Sequence, residues 1–222
     1  MAEINTGIWD ALYEGGNYLN YPSEVFVQLY FRTLGKDSKT GSFLDHGSGS
    51  GNNSEFLVAQ GWAVTGADAS RRALDVYAKR MALLNSHHAQ ILVDSEQPLG
   101  RQLGSFDHIL CWDCLCYNRL EKAKADSSDL VAALKPGGYL FVNMPTKRHE
   151  FAATGRRLAD GSFENRRAGT RQEGAIMAIP EDLDDLISWF DGLDVIERGH
   201  FTFDFGGFRE FMVFVGRKPE AK

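Results

Sequence analysis

The chain has no apolar run near the roughly 20 residues that a membrane-spanning helix needs. Its first ten residues lack the basic-then-apolar order of a secretory signal. No membrane partner is expected. A basic excess is missing too. Lys and Arg number 24 against 30 Asp and Glu, a net charge of −6, which disfavours broad binding to nucleic acid or anionic lipid. Cysteine is scarce, and the three present, Cys111, Cys114 and Cys116, are an odd, clustered set that makes a poor disulfide framework. A reducing cytoplasm is the expected home. Internal repeats and low-complexity tracts are absent. What is there is an ordinary globular composition, 43% hydrophobic and 24% charged. At about 150 residues per domain, 222 residues read as one compact domain spanning 1–222, monomeric or homodimeric.

Apolar runs alternate with helical patterns, as in strands joined by crossover helices. Tyr21-Pro22-Ser23 opens a helix with Phe26, Leu29, Tyr30 and Leu34 at helical spacing, and Gly35 stops it. Strands are expected at Ser42 to His46, Ala63 to Asp68, Ala89 to Val93, Phe106 to Trp112 and Tyr139 to Met144. Helices are expected from Asn52 to Gln60, after an N-cap at Ser70, and from Leu120 to Leu134. Lys135-Pro136-Gly137-Gly138 reads as a turn. Residues 146–175 show little periodicity and read as an insertion or long loop, a kind of segment that is often functional. A helix begins at Pro180, and Val195 to Phe205 and Glu210 to Val215 form an antiparallel hairpin through Gly206-Gly207. The expected fold class is α/β, a doubly wound, mostly parallel seven-stranded sheet with an antiparallel C-terminal edge hairpin.

The strongest motif is Asp45-His46-Gly47-Ser48-Gly49-Ser50-Gly51, where a strand runs through three alternate glycines into a helix. Glycine permits positive φ and lets a ligand approach the backbone closely, and the helix start offers free N–H groups. Asp68 ends the second strand 23 positions after Asp45, placed to accept both hydroxyls of a ribose. Asp94, at the end of the third strand, is within reach of an adenine amino group. A dinucleotide site would want Gly-x-Gly-x-x-Gly, whereas the spacing here is Gly-x-Gly-x-Gly followed by Asn52. No Gly-Lys-Ser/Thr is present, so a nucleoside triphosphate loop is not expected. The pattern describes a pocket for adenosine that carries no pyrophosphate.

In these features the sequence resembles the class I S-adenosylmethionine-dependent methyltransferases. Asp45-x-Gly47-x-Gly49-x-Gly51, the acidic Asp68, Asp94, Phe106-Asp107-His108-Ile109 and Leu134-Lys135-Pro136-Gly137-Gly138 each match the family pattern, over about Gly41 to Met144. The run Gly16 to Glu24 looks like a bacterial, small-molecule subset of that family. The resemblance implies a Rossmann-like methyltransferase fold, S-adenosylmethionine as cofactor, and methyl transfer to a small-molecule acceptor, anionic or sugar-like. It places Gly47, Gly49 and Gly51 along the methionine part of the cofactor, with Asp45 beside them. Asp68 and Ala69 then hold the ribose, Asp94 and Ser95 the adenine, and Trp112 and Asp113 the far side of the methionine part, with Tyr21 added from the N-terminal run. Two other classes remain open. One is a nicotinamide-dependent oxidoreductase, which the glycine spacing argues against. The other is a non-catalytic, cofactor-binding partner module.

Residues outside this pattern have plainer readings. His46 stands where the family has an aliphatic residue, and a lone His on a strand is usually structural, so a core role is expected. A structural zinc site normally takes four ligands, usually from two separated knuckles. No second Cys pair exists, so Cys111, Cys114 and Cys116 read as buried thiols and no metal is expected. Arg156, Arg157, Arg166, Arg167 and Arg171 stand against Asp160 and Glu164 in the insertion. They read as a solvated face or as an anion-binding surface for the acceptor. Trp9, Tyr13, Tyr18 and Tyr21 crowd residues 1–35, an N-terminal helical lid that covers the sheet edge or shields a sulfonium from water. An oxygen or amine acceptor needs a base for its proton. His149 is the first candidate, where the lid and the Arg-rich segment meet, followed by Asp113 and Tyr117.

Overall fold

The computed structural model describes residues 2–35, 40–84 and 89–220; Met1 of the expected lid lies outside them. Two helices come first, α1 (Ala2–Glu14) and α2 (Glu24–Thr33). Then strands and helices alternate: β1 (Ser42–His46), α3 (Asn52–Ala59), β2 (Ala63–Asp68), α4 (Arg71–Leu83), β3 (Ala89–Leu92), β4 (Phe106–Cys111), α5 (Leu120–Ala133) and β5 (Leu134–Pro145). The segment after β5 holds α6 (Glu150–Ala153), β6 (Arg156–Arg157), β7 (Phe163–Glu164) and β8 (Ile176–Met177). The last elements are α7 (Leu183–Ser188), β9 (Asp194–Asp204) and β10 (Phe208–Arg217).

The main sheet has the order β3-β2-β1-β4-β5-β10-β9. β1 to β5 are mutually parallel, and β10 and β9 close the edge antiparallel. Strand order reverses between β1 and β4, so the connections leaving these two C-terminal ends part to opposite faces and open a crevice there. Side-chain alternation feeds two apolar layers. Phe43, Leu110, Phe141, Val213 and Val215 face Phe26 and Tyr30 of α2 and Leu57 of α3. Leu44, Ile109, Leu140, Val142 and Phe214 join Leu130 of α5 and Leu186 of α7 in the other layer. Helix starts follow local chemistry. The Ser23 and Ser70 hydroxyls accept from Phe26 N and Ala73 N, which caps α2 and α4.

β1 and β2 have the expected bounds, and two expectations need correction. β5 begins at Leu134, because Leu134 already pairs with Phe106, and a register shift carries the expected Pro-Gly-Gly turn inside the strand. The segment 146–175, largely without regular structure as the loop reading has it, is not wholly so. It contains α6 and most of a small antiparallel sheet in the order β6-β7-β8. Strands of two residues are too short to show a period.

Phe26 is fully buried, with ring contacts to Tyr30, Phe56, Trp112 and Phe141. Phe26→Ala is expected to lower unfolding free energy by about 3–5 kcal/mol, measured by urea denaturation. A loss under 1 kcal/mol, by the same order-of-magnitude scale, would show that this layer is not a packed core.

Candidate active site

A cavity of about 450 Å³ opens at the β1/β4 crevice. Its floor is the turn after β1. Gly47, Gly49 and Gly51 have φ of 75°, 53° and 80°. Gly47 N and Ser48 N both donate to Ala67 O, at 2.7 and 3.1 Å, and bind the turn to the end of β2. Only glycine fits at the first position, since an added Cβ would collide with the Cβ and Sγ of Cys114.

Asp68 is fixed by its neighbours. One carboxylate oxygen accepts from Gly49 N at 2.9 Å and the other from Ser70 N at 2.8 Å. Burial raises its pKa, against the lowering effect of these bonds. Ala69, Val93, Ser95 and Glu96 continue the wall beyond it. The opposite wall carries Asp113, Cys114, Tyr117, Arg119 and Lys122. Asp113 N donates to Asn143 Oδ1 at 2.7 Å, and Asn143 Nδ2 donates to Asp113 Oδ1 at 2.6 Å. Protein packed round the Asp113 carboxyl raises its pKa, with Asn143 and Arg209 opposing, although the residue is exposed along the cavity.

α1 is the roof. Asn5, Thr6, Trp9 and Tyr13 line the cavity, and the spacing of Asn5, Trp9 and Tyr13 puts them on one helical face. Asn5 latches the roof to the far wall. Its Nδ2 donates to Tyr117 O and Ile176 O at 2.8 and 2.9 Å, and Ile176 N donates to its Oδ1 at 2.9 Å. Trp9 packs edge-on against Tyr117, ring centroids 4.8 Å apart. At the other end, Ser70 Oγ donates to Asp10 Oδ1 at 2.5 Å.

The structure therefore brings together Gly47, Asp68, Ala69, Ser95 and Asp113 among the residues expected from sequence. It places others elsewhere. Gly49 and Gly51, in the same turn, are not among the lining residues: Tyr13 stands against the first, and Tyr77 with Met81 against the second. Asp45 is buried and accepts from Ser54 Oγ at 2.6 Å, which ties β1 to α3; burial pushes its pKa up to about 7 despite that bond. Asp94 turns outward and accepts from Glu96 N at 2.9 Å, so Ser95 and Glu96 face the cavity instead. Trp112 is buried in the α2 layer, its ring stacked on Phe201. Tyr21 is exposed and lends only its carbonyl, to Asn52 Nδ2 at 2.9 Å.

The acceptor expectations also shift. His149 is 3% exposed and caps α6, its Nδ1 accepting from Phe151 N, with its ring between Phe151 and Phe211. It is absent from the cavity wall. Arg166 and Arg156 pair with Glu164, Arg167 with Glu150 and Arg157 with Glu181, all off the cavity. The cations that do line it are Arg119, paired with Asp160, and Lys122, paired with Asp126. His46 is buried yet reaches the cavity wall beside Cys114. Trp9 and Tyr13 of the expected lid and the candidate Tyr117 line the cavity as well, and for Asn5 the helical spacing of α1 was a readable signal. Glu96, Arg119, Lys122 and Asp126 carried none.

The profile of the methyltransferase domain family matches residues 19–194. A curated relative, the ubiquinone biosynthesis O-methyltransferase of Aromatoleum aromaticum, is 34% identical over 125 residues, 50% of this chain and 48% of that protein. The match thus spans about half the length of the relative. Among solved structures, an S-adenosylmethionine-dependent methyltransferase from Anabaena variabilis is 16% identical with a TM-score of 0.71, covering 98% of this chain and 94% of that one. The N-methyltransferase NodS of Bradyrhizobium japonicum, solved with S-adenosylhomocysteine, is 21% identical with a TM-score of 0.64, covering 89% and 87%. Likeness at such identities establishes the shared fold.

Burial lowers the His149 pKa to about 4, from an ordinary 6.5. A neutral buried imidazole stabilises the fold fully above pH 6.5, and that contribution is lost as pH falls from 6.5 to 4. His149→Asn keeps a capping acceptor and removes the titration. Its stability is expected to lose less than wild type between these values, by about 3 kcal/mol. Parallel pH profiles from urea denaturation would contradict this placement.

Proposed function

The chain belongs to the methyltransferase domain family, and on that premise we propose that it transfers a methyl group from S-adenosylmethionine to a small-molecule acceptor. The observation that carries the reading is the cavity itself. It runs from the oriented Asp68 carboxylate, past a glycine that admits no side chain, to Asp113 beneath an aromatic roof. These residues fit the cofactor. Asp68 would hold the ribose hydroxyls, Ser95 and Glu96 the adenine, and Gly47 the methionine part.

When bound, S-adenosylmethionine supplies a methyl group activated by its sulfonium. The chain supplies position and dryness, which account for most of the work in such a displacement. Trp9, Tyr13 and Tyr117 present aromatic faces that favour positive charge and exclude water. Asp113, held by Asn143, accepts a hydrogen bond from the acceptor's O–H or N–H and aims its lone pair. Arg119 and Lys122, paired with Asp160 and Asp126, add N–H donors to the cavity lining, which suits an acceptor that is hydroxylated, sugar-like, or carries a negative group able to share them.

Calorimetry with S-adenosylhomocysteine is expected to give one site per chain, and NAD no heat. Asp68→Ala should weaken that binding by about 1–3 kcal/mol. Tight NAD binding with no response to S-adenosylhomocysteine would reject the proposal. Asp113→Ala should keep cofactor affinity and lower turnover on the order of 10²-fold, followed as S-adenosylhomocysteine release across a panel of hydroxylated and amino acceptors. Full turnover in that variant would remove Asp113 from the acceptor end.

A further inference from the structure

One cluster on the cavity wall has no part in that reading. His46 ends β1 and Cys111 ends β4, and the two are register partners in the parallel pair. Both therefore lie on the same face of the sheet. Cys114 follows three residues on, after the left-handed Asp113 turns the chain back. One nitrogen of His46 and the two sulfurs lie within 4.8 Å of one another. His46 is 6% exposed and hydrogen-bonds Cys114, while its Nδ1 has no hydrogen-bond partner among the described residues. A buried ring nitrogen left without a partner is costly.

We propose that His46, Cys111 and Cys114 form a binding site for a thiophilic divalent cation, zinc in the first instance, whose fourth position opens onto the cavity. The donor set decides the ion class. Imidazole with two thiols is soft to borderline, and no carboxylate shares the cluster, so zinc fits and magnesium or calcium does not. Three protein ligands with an open position are the pattern of exchangeable zinc sites rather than closed structural ones. Zn–S and Zn–N bonds of about 2.3 and 2.0–2.1 Å bring tetrahedral ligands closer together than 4.8 Å, a gap that side-chain rotation can close. Charge balances as well. Binding releases two thiol protons, and two thiolates with a neutral imidazole offset the charge of the ion. Because both sulfurs must bind as thiolates, zinc occupancy should fall as pH falls. The open position faces the cavity because His46 and Cys114 line it while Cys111 is buried. The expectation of no metal from sequence weighed the missing second Cys pair and the neighbouring His108, which precedes the cluster inside a strand. The third ligand lies 65 positions upstream of Cys111, and only the β1–β4 pairing brings it in.

The test uses the full chain, reduced and stripped with chelator, titrated with Zn²⁺ against a chromophoric competitor. One zinc per chain at submicromolar affinity is expected. Co²⁺ in its place should show thiolate-to-metal charge-transfer absorption and tetrahedral d–d bands. Cys114→Ser and His46→Gln should each weaken zinc by about 10²-fold or more, while Cys116→Ser, outside the cluster, leaves it unchanged. Circular dichroism checks folding, and Cys114, only half-buried, is the substitution best placed to retain it. If Cys114→Ser does not fold, the cobalt spectrum of the unaltered chain decides. No stoichiometric zinc in the reduced chain, a Cys111–Cys114 disulfide in its place, zinc undiminished in Cys114→Ser, or cobalt without thiolate absorption would each overturn the proposal. S-adenosylhomocysteine binding is measured separately, so failure of the metal site and failure of the methyl-transfer reading are distinguishable.

Discussion

The reversal of strand order between β1 and β4 is the constraint on which everything else depends. Parallel strands send their connections off one end, and at the reversal those connections go to opposite faces. The turn after β1 leaves towards α3 and the segment after β4 leaves towards α5, so neither fills the space between. A chain that must bury both faces of a sheet thereby leaves one opening at a predictable place. Asp68 completes it because β2 sits beside β1 in register, His46 against Ala67, which sets the Asp68 carboxylate beside the glycine floor.

An opening of this kind is useful only if water can be excluded and a ligand admitted. α1 meets the first need with few bonds. It is held at one end by Asn5 across Tyr117 and Ile176, and at the other by Asp10 on Ser70. Asn5 reaches β8, so the small sheet after β5 serves as the abutment for the roof. Arg156, Arg157, Arg166 and Arg167 pair with carboxylates of that segment or with Glu181, and Arg167 also reaches Gly206 O in the β9–β10 turn. They act as structural ties rather than as a cationic surface turned towards the cavity.

The sheet was legible in the sequence because each strand carries its own apolar run and the glycine turn marks where the ligand edge begins. The same signals named Gly47, Asp68, Ala69 and Ser95, which line the cavity. They also named residues that the structure sets off the cavity wall, where orientation rather than position decides. Asp94 and Glu96 sit two residues apart on the same turn, and the local hydrogen bond from Glu96 N to Asp94 decides which one faces out. His149 follows the fifth strand as a base would, but its Nδ1 is committed to capping α6, a helix too short to announce itself. The link of His46 to Cys111 and Cys114 was invisible for another reason: it is made by pairing of β1 with β4, and register across a parallel sheet leaves no local trace.

Asp113 shows how the two halves of the site share one support. It is the sole non-glycine residue with positive φ among those described, at 51°. A strained conformation of this kind costs about 1–3 kcal/mol and persists only where the surroundings over-determine it. Asn143, on the neighbouring β5, supplies that determination by bonding both the Asp113 backbone and its carboxylate. The same reversal of the chain that sets Asp113 on the cavity wall also folds Cys114 back over Gly47 and towards His46. Asparagine at position 143 thus does more than orient one carboxylate. It holds the turn that places Asp113, the group proposed to meet the acceptor, and the thiol cluster on one wall, so geometry at either depends on the same pair of hydrogen bonds.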